Sequence, residues 1–133
     1  MKGIEFLLLS FGAIAGAFLR YKIASLSPIM VGSLPVNILI VNVIGSYIIG
    51  AFSVFALAWN LDAKYSLLVA VGFCGSLTTM SSFALETTGM IDNRQFSIMA
   101  LNILANVGMS LGAVLGGRTT ADLMMTKGIG GGA

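Results

Sequence analysis

Small polar residues are concentrated in one short stretch, residues 75–82, where six of the eight positions are Gly, Ser or Thr. Glycine loosens a helical backbone, and the hydroxyl groups of Ser and Thr compete for its hydrogen bonds. The stretch therefore predicts a break in a helix, within residues 75–79. A broken helix exposes carbonyl groups from one half and N–H groups from the other, and these groups bind a small cation and a small anion respectively.

Amide and hydroxyl side chains recur at helical spacing in other segments as well. Asn102, Asn106 and Ser110 follow one another at intervals of four residues. In lipid such groups are costly unless they find partners, so we expect them to face protein or water. The amide and hydroxyl donors named at the end of this paragraph suit a small, strongly hydrated anion, which needs donors to replace its water, and Phe83 adds the positive edge of its ring. The alternative is that each group only bonds one helix to another. The candidate donors are Asn42, Thr79, Ser81, Ser82, Asn106 and Ser110.

Catalysis and nucleic-acid binding have little support in the sequence. The chain has no His and a single Cys, so the usual zinc or haem ligand sets and a disulfide within one chain are excluded. Glu86 shares a helical face with Thr79 and Ser82, but a carboxylate beside a Ser is not an activated nucleophile. The net charge of +2 comes from scattered residues without a basic run. We therefore expect neither an enzyme nor a nucleic-acid binding protein.

The elements that must position these residues are membrane-spanning helices. Of the 133 residues 57% are hydrophobic and 9% are charged, whereas about 25% are charged in soluble domains. The sequence predicts an all-α membrane protein with one four-helix transmembrane domain, residues 1–127, whose third helix is broken mid-membrane. The predicted helices cover residues 4–23, 36–59, 66–89 and 96–117. We expect a frayed chain from Arg118 onwards and, at residues 128–133, a flexible tail or an artificial extension.

The positive charges give almost no information on orientation in the membrane. With four spans, four of the Lys and Arg residues lie on one side and three on the other. Because a fixed topology needs an asymmetry, this balance predicts insertion in both orientations and assembly of an antiparallel, dual-topology homodimer. A single orientation fixed by a partner is the alternative. The two groups are Lys2, Lys64, Arg118 and Lys127, and Arg20, Lys22 and Arg94.

Three motifs together resemble one known family. The first helix is rich in Gly and ends in Arg20-Tyr21, the second contains Val41-Asn42 followed by Gly45, and the third contains GFCGSLTTMSSFALE at residues 72–86. On these motifs the chain resembles the Fluc (CrcB) fluoride channels over essentially its whole length. The third motif is the most specific of the three. The resemblance implies antiparallel dimers with two pores, which pass fluoride out of the cytoplasm and reject chloride.

The resemblance also implies roles for individual residues. Backbone carbonyls of Gly75 and Thr78 from both subunits would hold a structural sodium ion at the dimer centre, and Arg20 would line an electropositive vestibule. Supporting polar residues would be Thr79, Ser82 and Glu86. The implied pore and fluoride-binding residues are Asn42, Met80, Ser81, Phe83, Asn106 and Ser110.

The chain departs from the family pattern at several of these positions. Met80 stands where the family usually has a Phe, and a thioether lacks the positive ring edge. Asn106 occupies the usual aromatic or His position of the fourth helix. Ala84 and Val114 replace frequent hydroxyl residues, so the outward polar track is expected to be reduced.

We expect a passive fluoride channel in the inner membrane of a prokaryote, which relieves fluoride toxicity. The alternative is a small multidrug-resistance antiporter that exchanges protons for cationic compounds. Such a protein needs a carboxylate deep in its first helix, whereas Glu5 lies near the start. A structural assembly subunit without transport is a further alternative, and it would leave the motif at residues 72–86 unexplained.

Overall fold

The computed structural model describes residues 2–130, with side chains for residues 2–128. Within this range four helices are long and apolar enough to cross a membrane. The first, α1, is Gly3–Ala24, and the second, α2, is Asn37–Ala58. The third, Ala63–Asp92, has several parts, and the fourth, α6, is Phe96–Gly130. A short antiparallel hairpin of β1, Met30–Val31, and β2, Leu34–Pro35, connects α1 to α2.

The side chain of Asn37 fastens this hairpin to the ends of both helices. Its Oδ1 atom accepts a hydrogen bond of 2.8 Å from the Ile29 N–H group, and its Nδ2 atom donates to the carbonyl of Ile23 at 3.1 Å. A cluster of buried apolar side chains packs beneath the hairpin and reaches Met90 in the third helix. The buried polarity of Asn37 is thus satisfied by the loop backbone, so we assign Asn37 a structural role.

Glycines allow α1 to pack closely on the third helix. Gly12 and Gly16 are buried, and a Cβ atom at these positions would collide with the carbonyl oxygens of Leu68 and Phe73 respectively. The pair α2 and α6 is built in the same way, because Gly117 lies against the carbonyl oxygen of Tyr47. Small residues let helix backbones approach in this manner in membrane proteins. The third helix is consequently held between α1 on one side and the α2–α6 pair on the other.

The third helix changes its conformation along its length. It starts with α3, Ala63–Ser66, widens into a π-helix, Leu67–Cys74, and returns to α-helix in α4, Gly75–Leu77. Thr78 then has φ −78° and ψ 153°, and Thr79 has φ −150° and ψ 111°. Both residues are extended, and α5, Met80–Asp92, begins after them. This interruption falls within residues 75–82, the stretch rich in Gly, Ser and Thr.

The fourth helix is longer than the sequence predicts. We expected it to end near residue 117 with a frayed continuation, and this prediction is wrong, because α6 continues to Gly130. The hydroxyl groups of Thr119, Thr120 and Thr126 donate to the carbonyl groups four residues earlier, so their polarity is satisfied inside the helix. Ala121 is fully buried, which shows that the continuation still packs on the bundle. Of the expected flexible tail, residues 128–130 are helical and residues 131–133 lie outside the described part.

Candidate functional site

A groove of about 370 Å³ brings the interruption of the third helix together with α2, α5 and α6. It contains five of the six residues that the sequence analysis assigned to a pore, namely all of them except Ser81, which is exposed on α5. Amide and hydroxyl residues alternate with apolar residues in the groove wall, and a few placed polar groups on an apolar surface are usual for sites that bind small ligands. Its lining residues are Asn42, Ser46, Thr78, Thr79, Met80, Phe83, Asn106, Val107, Ser110, Leu111 and Val114.

Asn42 joins three parts of the groove. Its Oδ1 atom accepts a hydrogen bond of 2.8 Å from the Thr79 N–H group, which is one of the free donors at the start of α5. Its Nδ2 atom donates to Asn106 Oδ1 at 3.0 Å. The Nδ2 atom also lies 3.5 Å from the Thr79 carbonyl oxygen, at the limit of a hydrogen bond. One amide thereby links α2, the interruption and α6, and it retains a weakly engaged N–H group beside the groove.

The polar contacts continue from Asn106 into the protein interior. Asn106 Nδ2 donates to both the backbone carbonyl and the Oδ1 atom of Asn102, at 3.0 Å each. Asn102 is 0% exposed, and its own Nδ2 atom donates to Thr87 Oγ1 at 3.1 Å and to Glu86 Oε2 at 3.3 Å. Sequence reasoning did not name Asn102 or Thr87 as site residues. Asn102 could have been found from its spacing of four residues to Asn106. For Thr87, the only indication in the sequence is that it follows Glu86.

Thr79 and Ser82 form the N-terminal cap of α5. Thr79 Oγ1 accepts a bond of 3.2 Å from the Ser82 N–H group and donates to Ser82 Oγ at 3.1 Å. Ser81 Oγ lies 3.4 Å from the same hydroxyl. These contacts fix the direction in which the helix restarts. Glu86 lies further along α5, is half-buried and contacts Asn102 rather than the groove.

The two apolar side chains expected at a pore differ in their surroundings. Phe83 is half-buried in the groove, whereas Met80 is 73% exposed at its open side. Arg20, on α1, does not line the groove. Its Nε atom is buried, and it has no hydrogen-bond partner among the described residues.

The residues implied in sodium binding lie at the two ends of α4, which begins at Gly75 and is followed by Thr78. Gly75 is exposed and Thr78 is half-buried, and the Thr78 hydroxyl donates to the Cys74 carbonyl at 3.0 Å. The end of a helix presents carbonyl oxygens, which are the ligand type that hard cations take. In the part of the chain described, no three His, Cys, Asp or Glu side chains come together in a way that could hold a metal ion. Backbone carbonyls at Gly75 and Thr78 would supply oxygen ligands of the type that a sodium ion takes.

A second groove of about 760 Å³ meets the first at Val114 and lies between α2 and the extension of α6. It contains Arg118 and Asp122, one turn apart on α6, near Leu57 at the end of α2. Arg118 and Asp122 place one positive and one negative charge in this second groove. The sequence analysis treated Arg118 only as a charge on a frayed segment, because the length of α6 was underestimated.

Comparisons with known proteins give a consistent result. The model of the family described as "CrcB-like protein, Camphor Resistance (CrcB)" matches residues 7–118. A protein of Nitrosopumilus maritimus named "Fluoride-specific ion channel FluC" is 56% identical over 127 residues, which cover 96% of this chain and 100% of the relative. Proteins of the same name are 41% identical in Methanococcus maripaludis, over 86% of this chain and 93% of the relative, and 40% identical in Methanocaldococcus jannaschii, over 88% and 94%.

Proposed function

The chain belongs to the CrcB-like family, and from that premise we propose that it is a passive, fluoride-selective channel that exports cytoplasmic fluoride. Together with its four long apolar helices, this membership makes it a multi-pass membrane protein. Fluoride enters acid-exposed cells as HF and ionises in the more neutral cytoplasm. The ion cannot return through lipid because its desolvation is too costly. A selective leak is sufficient to remove it, so no coupling to an energy source and no catalytic step is needed.

The observation that carries the proposal is the position of Asn42 in the groove. Its amide oxygen accepts from the Thr79 N–H group, just before α5 begins. One of its own N–H groups is only weakly hydrogen-bonded and lies in the groove that Ser110 and Phe83 also line. Neutral donors replace the water of a small anion without trapping it by a fixed charge. We assign the pore to Asn42, Met80, Phe83, Asn106 and Ser110, with Ser81 beside the interruption and Arg20 in a vestibule.

The working unit that we propose is an antiparallel homodimer with two pores. The near balance of positive charges favours insertion in both orientations. The groove of one chain is open on the side of Met80, so a second copy would supply the missing wall. In a two-fold dimer both grooves are equivalent, which gives two pores. The interruption of the third helix would lie mid-membrane, in the inner membrane of a prokaryote.

Sodium is the one cofactor that we propose. Carbonyl groups of Gly75 and Thr78 from both chains would hold it at the dimer centre, where it would supply positive charge that neutralises facing carbonyl dipoles. The contribution of this chain is its backbone conformation. The extended residues Thr78 and Thr79 turn their carbonyl groups away from the helical hydrogen-bond pattern.

The alternative of a proton-coupled multidrug antiporter is disfavoured by the position of Glu5. Its Oε2 atom accepts a hydrogen bond of 3.0 Å from the Lys2 N–H group at the exposed start of α1. A carboxylate that caps a helix at the membrane edge is far from the depth at which such antiporters exchange protons for drugs. The proposal therefore keeps fluoride as the substrate.

Efflux from liposomes tests this function. The purified protein is reconstituted in liposomes loaded with potassium fluoride or potassium chloride, and valinomycin is added to carry the counter-current. We expect rapid release of fluoride, measured with a fluoride electrode, and chloride release no faster than from protein-free liposomes. No fluoride release above the protein-free level, or comparable chloride release, would refute the proposal.

A further inference from the structure

Three asparagine side chains connect the groove to the buried part of α5 by direct amide-to-amide contacts. We refer to Asn42, Asn106 and Asn102 as the asparagine chain. We propose that Asn102, which does not touch the groove, is a positioning residue that sets the orientation of the Asn106 and Asn42 amides for fluoride. The proposal rests on the function proposed above.

The hydrogen bonds that link one amide of the asparagine chain to the next run in one direction. The Thr79 N–H group donates to Asn42, Asn42 donates to Asn106, and Asn106 donates to Asn102. Asn102 then donates to Thr87 Oγ1 and to Glu86 Oε2. Each amide therefore turns its oxygen toward the interruption of the third helix and its nitrogen toward α5.

The two ends of the chain fix this direction. At one end the Thr79 backbone N–H group can only donate, so it requires the oxygen of Asn42. At the other end the Thr87 hydroxyl donates its proton to the Phe83 carbonyl at 2.7 Å, which leaves it as an acceptor for Asn102. The Glu86 carboxylate is a second acceptor. Reversing any one amide would set two donors or two acceptors against each other, which is costly in a buried site.

The fixed direction determines which donors an anion meets. Asn106 places its nitrogen against two acceptors of Asn102, so its amide holds Asn42 and offers the groove little donor capacity. Asn42 has one N–H group on Asn106, and the other faces the Thr79 carbonyl at a distance of 3.5 Å. That second N–H group is the donor free to exchange for fluoride. If Asn106 lost its hydrogen bond to the Asn102 side chain, Asn106 could turn its amide, and the Asn42 amide would no longer be held in this orientation.

Reciprocal substitutions test the proposal. Asn102→Asp removes the donor to Glu86 and puts a second carboxylate beside it, whereas Asn102→Asp with Glu86→Gln restores a donor–acceptor pair with its polarity exchanged. In both variants the new carboxylate still accepts from Asn106. Asn102→Leu removes the side-chain acceptor for Asn106 and the donor to Thr87 and Glu86, and leaves Asn106 only the backbone carbonyl of residue 102. Asn93→Asp is the matched control, because Asn93 is exposed in the turn after α5 and has no contact with the groove.

We expect Asn102→Asp and Asn102→Leu to lower fluoride efflux by about tenfold or more and to lower the ratio of fluoride to chloride release. In Asn102→Asp the new carboxylate is pushed away from Glu86, and in Asn102→Leu the side-chain hydrogen bond with Asn106 is lost. The double variant should recover both quantities to within about threefold of the parent protein, since the new amide at position 86 can donate to the carboxylate at position 102 and the two carboxylates no longer repel each other. Asn93→Asp should match the parent. Thermal unfolding and size-exclusion chromatography in detergent report whether each variant still folds and assembles.

The outcomes separate the role of Asn102 from the proposed function. Parent-like efflux and selectivity in folded Asn102→Leu, or no recovery in the double variant, would overturn the positioning role. If Asn102→Leu does not fold, the comparison of Asn102→Asp with the double variant still decides. Absence of fluoride efflux from the parent protein would instead refute the fluoride channel itself.

Discussion

Asn42→Asp should have a large effect on fluoride transport although it hardly changes the shape of the side chain. The Asp side chain can still accept from the Thr79 N–H group, so the link to the interruption is retained. It loses the N–H donor to Asn106, and its second oxygen faces Asn106 Oδ1, an acceptor that lies 3.0 Å from Nδ2 in the parent. It also places a negative charge where fluoride is expected to bind.

The charge dominates the expected loss. Two negative charges about 4 Å apart repel each other by about 4 kcal/mol at an effective dielectric constant of about 20. The lost hydrogen bond adds about 1 kcal/mol. Because about 1.4 kcal/mol corresponds to a factor of ten, we expect fluoride efflux to fall by about a thousandfold or more.

Fluoride efflux from liposomes at several protein densities measures this loss, with Asn93→Asp as a control for the added charge. Size-exclusion chromatography establishes that the variant assembles like the parent. Efflux within about tenfold of the parent, in a variant that folds, would remove Asn42 from the ion path, because the expected repulsion is far larger than that.

Three further predictions concern other parts of the molecule. Gly16→Val should lower the thermal stability in detergent by about 1–3 kcal/mol or prevent folding, because its side chain would collide with the Phe73 carbonyl; Gly3→Ala, which meets nothing within 4 Å, should leave the melting temperature unchanged. Met80→Phe should raise the apparent affinity for fluoride by about threefold, because the positive edge of a phenyl ring attracts an anion; an unchanged concentration dependence of efflux would place Met80 outside the path. Arg118→Gln should slow efflux at low ionic strength and much less at high ionic strength, because salt screens the exposed charge of Arg118 in the second groove; a loss independent of salt would contradict attraction by Arg118.

Much of the helical framework can be predicted from the composition and from the residues that end helices. The second helix was predicted for residues 36–59 and is Asn37–Ala58, since the prolines before it and the polar turn after it mark its ends. The π-helix at Leu67–Cys74 could not be predicted, because its apolar run carries no residue that distinguishes one helical pitch from another. The end of α6 was missed because Thr119 and Thr120 are polar in sequence but bond to their own helix.

The site was predictable as a set of residue types but not as a set of contacts. Asn42 and Asn106 could be selected from the sequence as site residues, because an amide side chain in a membrane-spanning helix is costly unless it has a function or a partner. Their hydrogen bond joins residues 64 positions apart and depends on how α2 packs on α6, which is set by contacts such as that of Gly117 with Tyr47. Asn102 is absent from the predicted site for the same reason: only the packing of α5 on α6 gives it Thr87 and Glu86 as partners.

The central claim is that fluoride crosses the protein beside the Asn42 amide. Solid-state NMR of protein with ¹⁵N-labelled Asn side chains, reconstituted with sodium fluoride, measures the dipolar coupling between ¹⁹F and the Asn42 nitrogen. We predict a coupling that corresponds to a hydrogen-bond distance of about 3 Å and that disappears in Asn42→Asp. Rapid fluoride efflux from the same sample without any coupling to the Asn42 nitrogen would contradict the claim.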